Sequence, residues 1–201
     1  MAADIDFYFD FSSPYGYFAS TRIDELAQRY GRRVNWHPVL LGVVFKTSGA
    51  QPLTMVPLKG EYSIRDFVRT ARFHGIPFNM PPKFPIASVA AARAMLWLQK
   101  AVGAQAAVGF AKAVYRAFFV DGIDVGEANS MLRIAAQQGI DTGALAAGIE
   151  QPEIKEQLKT EVEQAMLRGV FGSPYIIVDG EPFWGFDRFD QLEALLKNGS
   201  I

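Results

Sequence analysis

The chain has 201 residues, 50% of them hydrophobic and 20% charged, and its 20 Lys and Arg nearly balance 21 Asp and Glu at a formal net charge of -1. Such a composition builds a sizeable core and excludes the basic footprint that nucleic acid or anionic lipid requires, while no apolar run reaches membrane-spanning length. The absence of cysteine excludes dithiol chemistry by the chain's own side chains and fits a reducing compartment, so a cytoplasmic location is expected.

Ile5, Phe7, Phe9 and Phe11 alternate with Asp6, Tyr8 and Asp10, the period-two pattern of a strand, and nothing ahead of them reads as a secretory leader. Ser13-Pro14 predicts an N-cap and the first helical residue, because serine accepts from an orphan amide and proline needs no donor there. That helix is expected from Pro14 to about Tyr30, with Gly31 as its stop. Val34 to Leu41 reads as a second strand, weakened by Pro38. The stretch from Gly42 to Gly60, rich in Gly, Pro, Ser and Thr, reads as an extended loop. Helix-forming composition with punctuating glycines then predicts helices over 62–74, 86–102, 105–120, 127–138 and 142–148, and a charged helix from Pro152 through Arg168. Strand pattern returns at Pro174 to Val178, Asp179-Gly180 predicts a hairpin turn, Pro182-Phe183-Trp184 the return strand, and Asp187 to Lys197 a closing helix. Strand-helix-strand at the front and strand-strand-helix at the back point to one split α/β domain over residues 1–45 and 152–201, with a helical insertion over residues 46–151.

Candidate chemistry is confined to few positions. Ser13 either only caps its helix or also donates a hydrogen bond to a thiolate held at the helix start, and any such thiol comes from outside the chain. Ser173-Pro174 is either a trans bond that opens a strand or a cis bond that turns the backbone N–H and C=O of Ser173 outward, ready to pair with a peptide-like ligand. Asp187 either caps the last helix or pairs with an amino group of a small ligand. Lys59, in the loop Val56-Pro57-Leu58-Lys59-Gly60, is a solvated lysine unless that loop folds over the site. His37 and His74 form no cluster at ligand spacing, so no metal is expected. Phe11, Tyr15 and Trp184 flank the proposed site and are candidates to line an apolar pocket for an aromatic substrate.

Two segments, Phe9-Asp10-Phe11-Ser12-Ser13-Pro14-Tyr15-Gly16 and Phe171-Gly172-Ser173-Pro174-Tyr175, have the layout of a thioredoxin-type active site, in which a Cys-Pro-x-Cys helix start faces a cis-proline. Ser13 and Gly16 stand at the two cysteine positions. Together with Ser48-Gly49-Ala50-Gln51-Pro52, Met55-Val56-Pro57-Leu58-Lys59-Gly60, Gly75-Ile76-Pro77 and Trp184-Gly185-Phe186-Asp187-Arg188, they make the chain resemble the DsbA-like branch of the thioredoxin superfamily over nearly its whole length. The members it is similar to are the 2-hydroxychromene-2-carboxylate isomerases and the kappa-class glutathione transferases. The resemblance implies an α/β thioredoxin-like fold with an inserted all-helical domain, a homodimer, and glutathione as cofactor. It implies that Ser13 bonds the glutathione sulfur, that Ser173 beside cis-Pro174 pairs with the tripeptide backbone, that Lys59 lies near it, and that Asp187 holds its γ-glutamyl end. Ala50 and Phe186 depart from the kappa pattern, which has Asn and Ser there. The activity implied is isomerisation of an aromatic or conjugated substrate by reversible thiolate addition, with a kappa-like transferase and a non-catalytic thioredoxin-fold binding protein as alternatives.

Overall fold

Strand β1 (Ile5–Phe9) lies inside a four-stranded sheet because nearly every side chain it carries is buried, and the computed structural model, which describes residues 3–201, gives the strand order β2-β1-β3-β4. β2 (Val34–Pro38) runs parallel to β1, whereas β3 (Tyr175–Val178) is antiparallel on its other side and pairs in turn with β4 (Glu181–Trp184). Phe7 stands opposite Trp36 in one register and Ile176 in the other, and its ring meets the Trp36 indole edge-on at 4.9 Å. Phe9 and Phe11 extend this aromatic cluster toward Tyr115. Truncating a fully buried ring such as Phe7 to alanine would cost about 3–5 kcal/mol. The β3–β4 turn takes positive φ at both Asp179 (51°) and Gly180 (87°), which matches the twist of the flanking strands. Arg32 grips the Asp179 carboxylate at 3.0 and 2.6 Å.

Several helices differ from their sequence-based limits, each for a local reason. The single helix expected over 14–30 is two, α1 (Pro14–Ser20) and α2 (Ile23–Arg29). The Ser20 and Thr21 hydroxyls donate to the carbonyls of Tyr17 and Phe18 at 2.6 and 2.7 Å, and such local bonds compete with the helical ladder. The stretch expected as loop contains α3 (Leu41–Ser48), whose first amide, Leu41 N–H, donates to the Asp10 carboxylate at 2.6 Å, and which ends on Gly49 with φ of 73°. A short 3-10 turn follows at Leu53–Met55. Then come α4 (Lys59–Phe73), α5 (Val89–Ala101), α6 (Ala104–Phe119), α7 (Ala128–Gln137), α8 (Thr142–Gly148) and α9 (Pro152–Leu167). The closing helix α10 (Phe189–Asn198) starts after a 3-10 turn at Phe186–Arg188. Among the described residues, no helix is long and apolar enough to cross a membrane.

The two faces of β1 do different work. Ile5, Phe7 and Phe9 are sealed in the core, whereas Asp6 and Tyr8 share the other face with His37, Arg168 and Glu161 of α9. The His37 ring stacks on Tyr8 at 4.7 Å, its Nε2 lies 3.2 Å from Asp6 and its Nδ1 3.3 Å from Glu161. Arg168 pairs with Asp6 at 2.7 Å and stands over the Tyr8 ring. Burial opposes the imidazolium, but hydrogen bonding and charge from Glu161 and Asp6 outweigh it and raise the His37 pKa. A folded-state pKa above the unfolded value of about 6.5 adds stability that is fully present below that pH and is lost as pH rises through the raised value. We therefore expect the unfolding free energy in urea to decline as pH climbs from about 6.5, and Glu161→Gln to lower the pKa read from imidazole NMR; a His37 titration unchanged by that substitution would contradict this account.

Candidate active site

Leaving β1, the chain makes one tight turn before α1, and Ser13 occupies the cap. Its Oγ accepts from the Gly16 amide at 3.0 Å, the expected capping bond, and donates to the Ser173 carbonyl at 2.8 Å. The Ser173-Pro174 bond is cis, and the Ser173 amide makes no hydrogen bond among the described residues. The carbonyl, expected to turn outward with the amide, is instead occupied by the Ser13 hydroxyl. Both residues are nearly covered, Ser13 at 5% and Ser173 at 9% exposure, so each of these bonds is poorly replaced by water.

Two residues that sequence reasoning left without a role hold this pair in place. Asp10 is fully buried, and its carboxylate accepts from the Ser12 amide at 2.7 Å, the Ser12 hydroxyl at 2.8 Å and the Leu41 amide at 2.6 Å. Its own amide donates to Ser173 Oγ at 2.9 Å, and its carbonyl accepts from Ser13 N–H at 2.9 Å and from the Tyr115 hydroxyl at 3.0 Å. Burial pushes the Asp10 pKa up while the bonds from Ser12 and Leu41 pull it down, and the net direction is upward. Tyr115, on α6, is buried with its phenol pushed far up by desolvation, so it acts only as a neutral donor. The Asp-x-Ser spacing of 10–12 carries the signature of an Asx turn and could have marked Asp10. Nothing local marks Tyr115, which lies in a helix otherwise read as packing.

The remaining expected residues are more open. Leu58, 96% exposed, sits at φ of 68° in a strained three-residue turn closed by Lys59 N–H donating to Pro57 C=O at 2.8 Å, and this turn launches α4 with Lys59 as its first residue. Lys59 makes no ion pair among the described residues. Asp187 does not cap α10, whose cap position is Arg188 without a side-chain bond, and it meets only Arg188 loosely at 3.6 Å. Ala50 is exposed, whereas Phe186 is buried between Phe18, His74 and Phe189. Of the aromatics expected to flank the site, Phe11 belongs to the core. Tyr15 is half-buried, donates to Asp66 and is held protonated by burial and that carboxylate. Trp184 is exposed, edge-on to Phe171 at 4.8 Å. Beside Phe171, a cleft of about 200 Å³ opens between α3 and the chain leading to Ser173, lined by Val44, Thr47, Ser48, Met166 and Val170.

A sheet of this order, with a capped helix start facing a cis-proline, defines a thioredoxin-type fold. The family model described as a DSBA-like thioredoxin domain matches residues 4–197, and the chain belongs to that family. It is 32% identical over 199 residues to a 2-hydroxychromene-2-carboxylate isomerase of Sphingobium xenophagum, an alignment covering 98% of this chain and 99% of the relative. Glutathione S-transferase kappa 1 of Caenorhabditis elegans is 29% identical over 214 residues, covering 96% and 90%. The solved structure of a 2-hydroxychromene-2-carboxylate isomerase superposes at a TM-score of 0.85 with 28% identity, covering 96% of this chain and 94% of that one. These relatives are isomerases and glutathione transferases, and the chain is an enzyme of this group.

Gly16 explains why a second thiol has no place here. A Cβ built on it would stand 2.7 Å from Ser173 Oγ and 2.8 Å from the Tyr115 hydroxyl, and both oxygens are tied down by bonds to Asp10. Helix propensity favours alanine over glycine by about 1 kcal/mol, but overpacking of a fixed, buried site costs about 1–3 kcal/mol. Gly16→Ala should therefore fail to stabilise the protein, and Gly16→Cys should lose about 1–3 kcal/mol, as read by urea denaturation. A gain in stability with either would mean that the hydroxyls give way freely.

Proposed function

We propose that the protein is a glutathione-dependent isomerase of the 2-hydroxychromene-2-carboxylate isomerase type. The observation that carries this reading is the Ser13 hydroxyl, held 2.8 Å from the Ser173 carbonyl in a chain that has no cysteine. A donor that does not itself ionise stands where a thiolate needs one, and the chain has no thiol of its own. The residues present fit glutathione: among the described residues the Ser173 amide lacks an acceptor, Lys59 lacks an anion, and Asp187 is not used as a cap.

When bound, glutathione supplies a thiolate that adds reversibly to a conjugated carbon of an aromatic substrate and is recovered, so double-bond geometry changes without consumption of the thiol. Ser13 donates to the sulfur and favours its ionised form. Ser173, next to Pro174, offers backbone groups to the tripeptide, Lys59 balances a ligand carboxylate, and Asp187 pairs with the γ-glutamyl amino group. Transferase activity of the kappa type is the second reading, favoured by the similarity to the kappa relatives, and it differs in that glutathione is used up.

Residues 1–45 with 152–201 as thioredoxin-like domain and 46–151 as insertion remain our proposed division, although the first boundary falls within α3. A cytoplasmic homodimer completes the proposal. Leu53, Met55, Leu58, Ile64 and Val68 expose apolar surface on the approach to α4 and along it, which supports a protein partner surface. Light scattering should return twice the chain mass, and a monomer at micromolar concentration would remove the dimer.

Ser13→Ala tests the function. Loss of a capping side chain costs about 1 kcal/mol of stability. Loss of a hydrogen bond to a thiolate should also raise the pKa of bound glutathione by about one pH unit, since one unit is about 1.4 kcal/mol. Titration of thiolate absorbance, with binding confirmed by calorimetry in both proteins, reads the difference. An identical pKa would reduce Ser13 to a cap and sink the mechanism.

A further inference from the structure

His37 stands on β2 between carboxylates of two other elements, with Nε2 3.2 Å from Asp6 on β1 and Nδ1 3.3 Å from Glu161 on α9. A carboxylate only accepts, so both contacts are hydrogen bonds only when both ring nitrogens carry protons. The neutral ring has one N–H, and its bare nitrogen then faces a carboxylate. Asp6 is pinned by Arg168 at 2.7 Å and by Asn35 at 3.1 Å, whereas Glu161 has no other partner among the described residues and its side chain is 32% exposed. The neutral ring therefore keeps Asp6, and Glu161 turns to water. Tyr8 also faces the ring, stacked on it at 4.7 Å, with Arg168 over the far side of the phenol. Helices α2 and α5 pack on β2 as well, but among the described residues none of their charged groups, Asp24, Glu25, Arg29, Arg93 and Lys100, bonds the ring.

What happens to the end of α9 is felt at the cis-proline. Past Arg168, Gly169 takes φ of 84° and donates to the Met166 carbonyl, while the Val170 amide donates back to Ala165 at 3.0 Å. This is a locked helix end. Val170 is buried, and three residues further on Ser173 Oγ receives the Asp10 amide at 2.9 Å, so a shift of the last two turns of α9 passes to Ser173 through a short, stiff connection. We propose that Asp6, His37 and Glu161 form a pH-sensitive clasp, closed when the imidazole is protonated, that holds the C-terminal end of α9 and with it the position of Ser173. Burial of Ile154, Leu158, Val162 and Ala165 anchors the helix separately, so opening the clasp loosens its end without undocking it. The two carboxylates raise the His37 pKa above its ordinary value. The clasp is closed below about pH 6.5 and opens as pH rises through the raised value. The geometry of the candidate site thereby responds to pH whichever thiol chemistry it serves.

The test is amide hydrogen exchange in the full chain at about pH 6 and about pH 9, corrected for intrinsic rates, in wild type, Glu161→Gln and His37→Gln. In wild type the Asp10 and Val170 amides, which read the contacts with Ser173 and Ala165, should lose protection about fivefold at the higher pH, the size of one net hydrogen bond, while amides of α6 change less. Glu161→Gln should stay protected at both values, because a carboxamide both donates and accepts and so bonds the ring in either protonation state. His37→Gln should show the lower protection at both. A pH-dependent loss that persists in either variant overturns the proposal, as does a loss of equal size throughout α6, which would reflect global stability alone. Constant protection of Asp10 and Val170 in wild type, while imidazole NMR shows His37 titrating across the same range, overturns it too.

Discussion

Where β1 ends, the Asp10 carboxylate is taken fully out of water, and a buried carboxylate survives only if its lone pairs are filled. Here they are filled by Ser12 and Leu41, at 2.6 to 2.8 Å. The donors come from two pieces of the fold, the turn before α1 and the start of α3. The backbone of the same residue collects the Ser173 hydroxyl and the Tyr115 phenol. One residue thereby fixes the relative positions of the first helix, the insertion and the cis-proline segment, which is why the Ser13–Ser173 distance is a property of the scaffold rather than of two loops.

The sheet separates stability from chemistry. On one face, stacked and edge-on aromatics such as Phe7, Phe9 and Trp36 supply burial. On the other, His37 between Asp6 and Glu161 holds α9 to the sheet by charge. The candidate active-site groups lie at the strand ends, where Ser13 bonds the Ser173 carbonyl and the Asp10 amide bonds the Ser173 hydroxyl.

Much of this was legible in the sequence, because the features concerned are local. Alternation marked β1, Ser13-Pro14 marked the cap, and Asp179-Gly180 marked the hairpin; each depends on residues within a few positions of one another. What escaped was non-local. The first amide of the helix at 41–48 is held by a carboxylate from the end of β1, thirty-one residues away, so its own sequence, with glycine and β-branched residues, reads as loop. Hydroxyl side chains at 20 and 21 break a helix whose apolar spacing continues unbroken. Ser13, Ser173 and Asp187 could be named as candidates from motifs, but the occupation of the Ser173 carbonyl by Ser13 could not, since it depends on two segments that meet only in the folded state.

That last contact has a temporal side. Ser13 and Ser173 are 160 positions apart, and β1 gains its antiparallel neighbour only when β3 exists. During synthesis β1 and β2 can pair early, yet the second edge of β1, an apolar Ile-Asp-Phe-Tyr-Phe run, waits for the whole helical stretch to leave the ribosome, roughly ten seconds or more at ordinary elongation rates. An open apolar edge is a template for pairing with other chains. Asp6 is the one charge on that strand, and it points to the face that α9 later covers, so the nascent protein depends on the crowd of early helices, or on a chaperone, to shield the strand that leads into the candidate site.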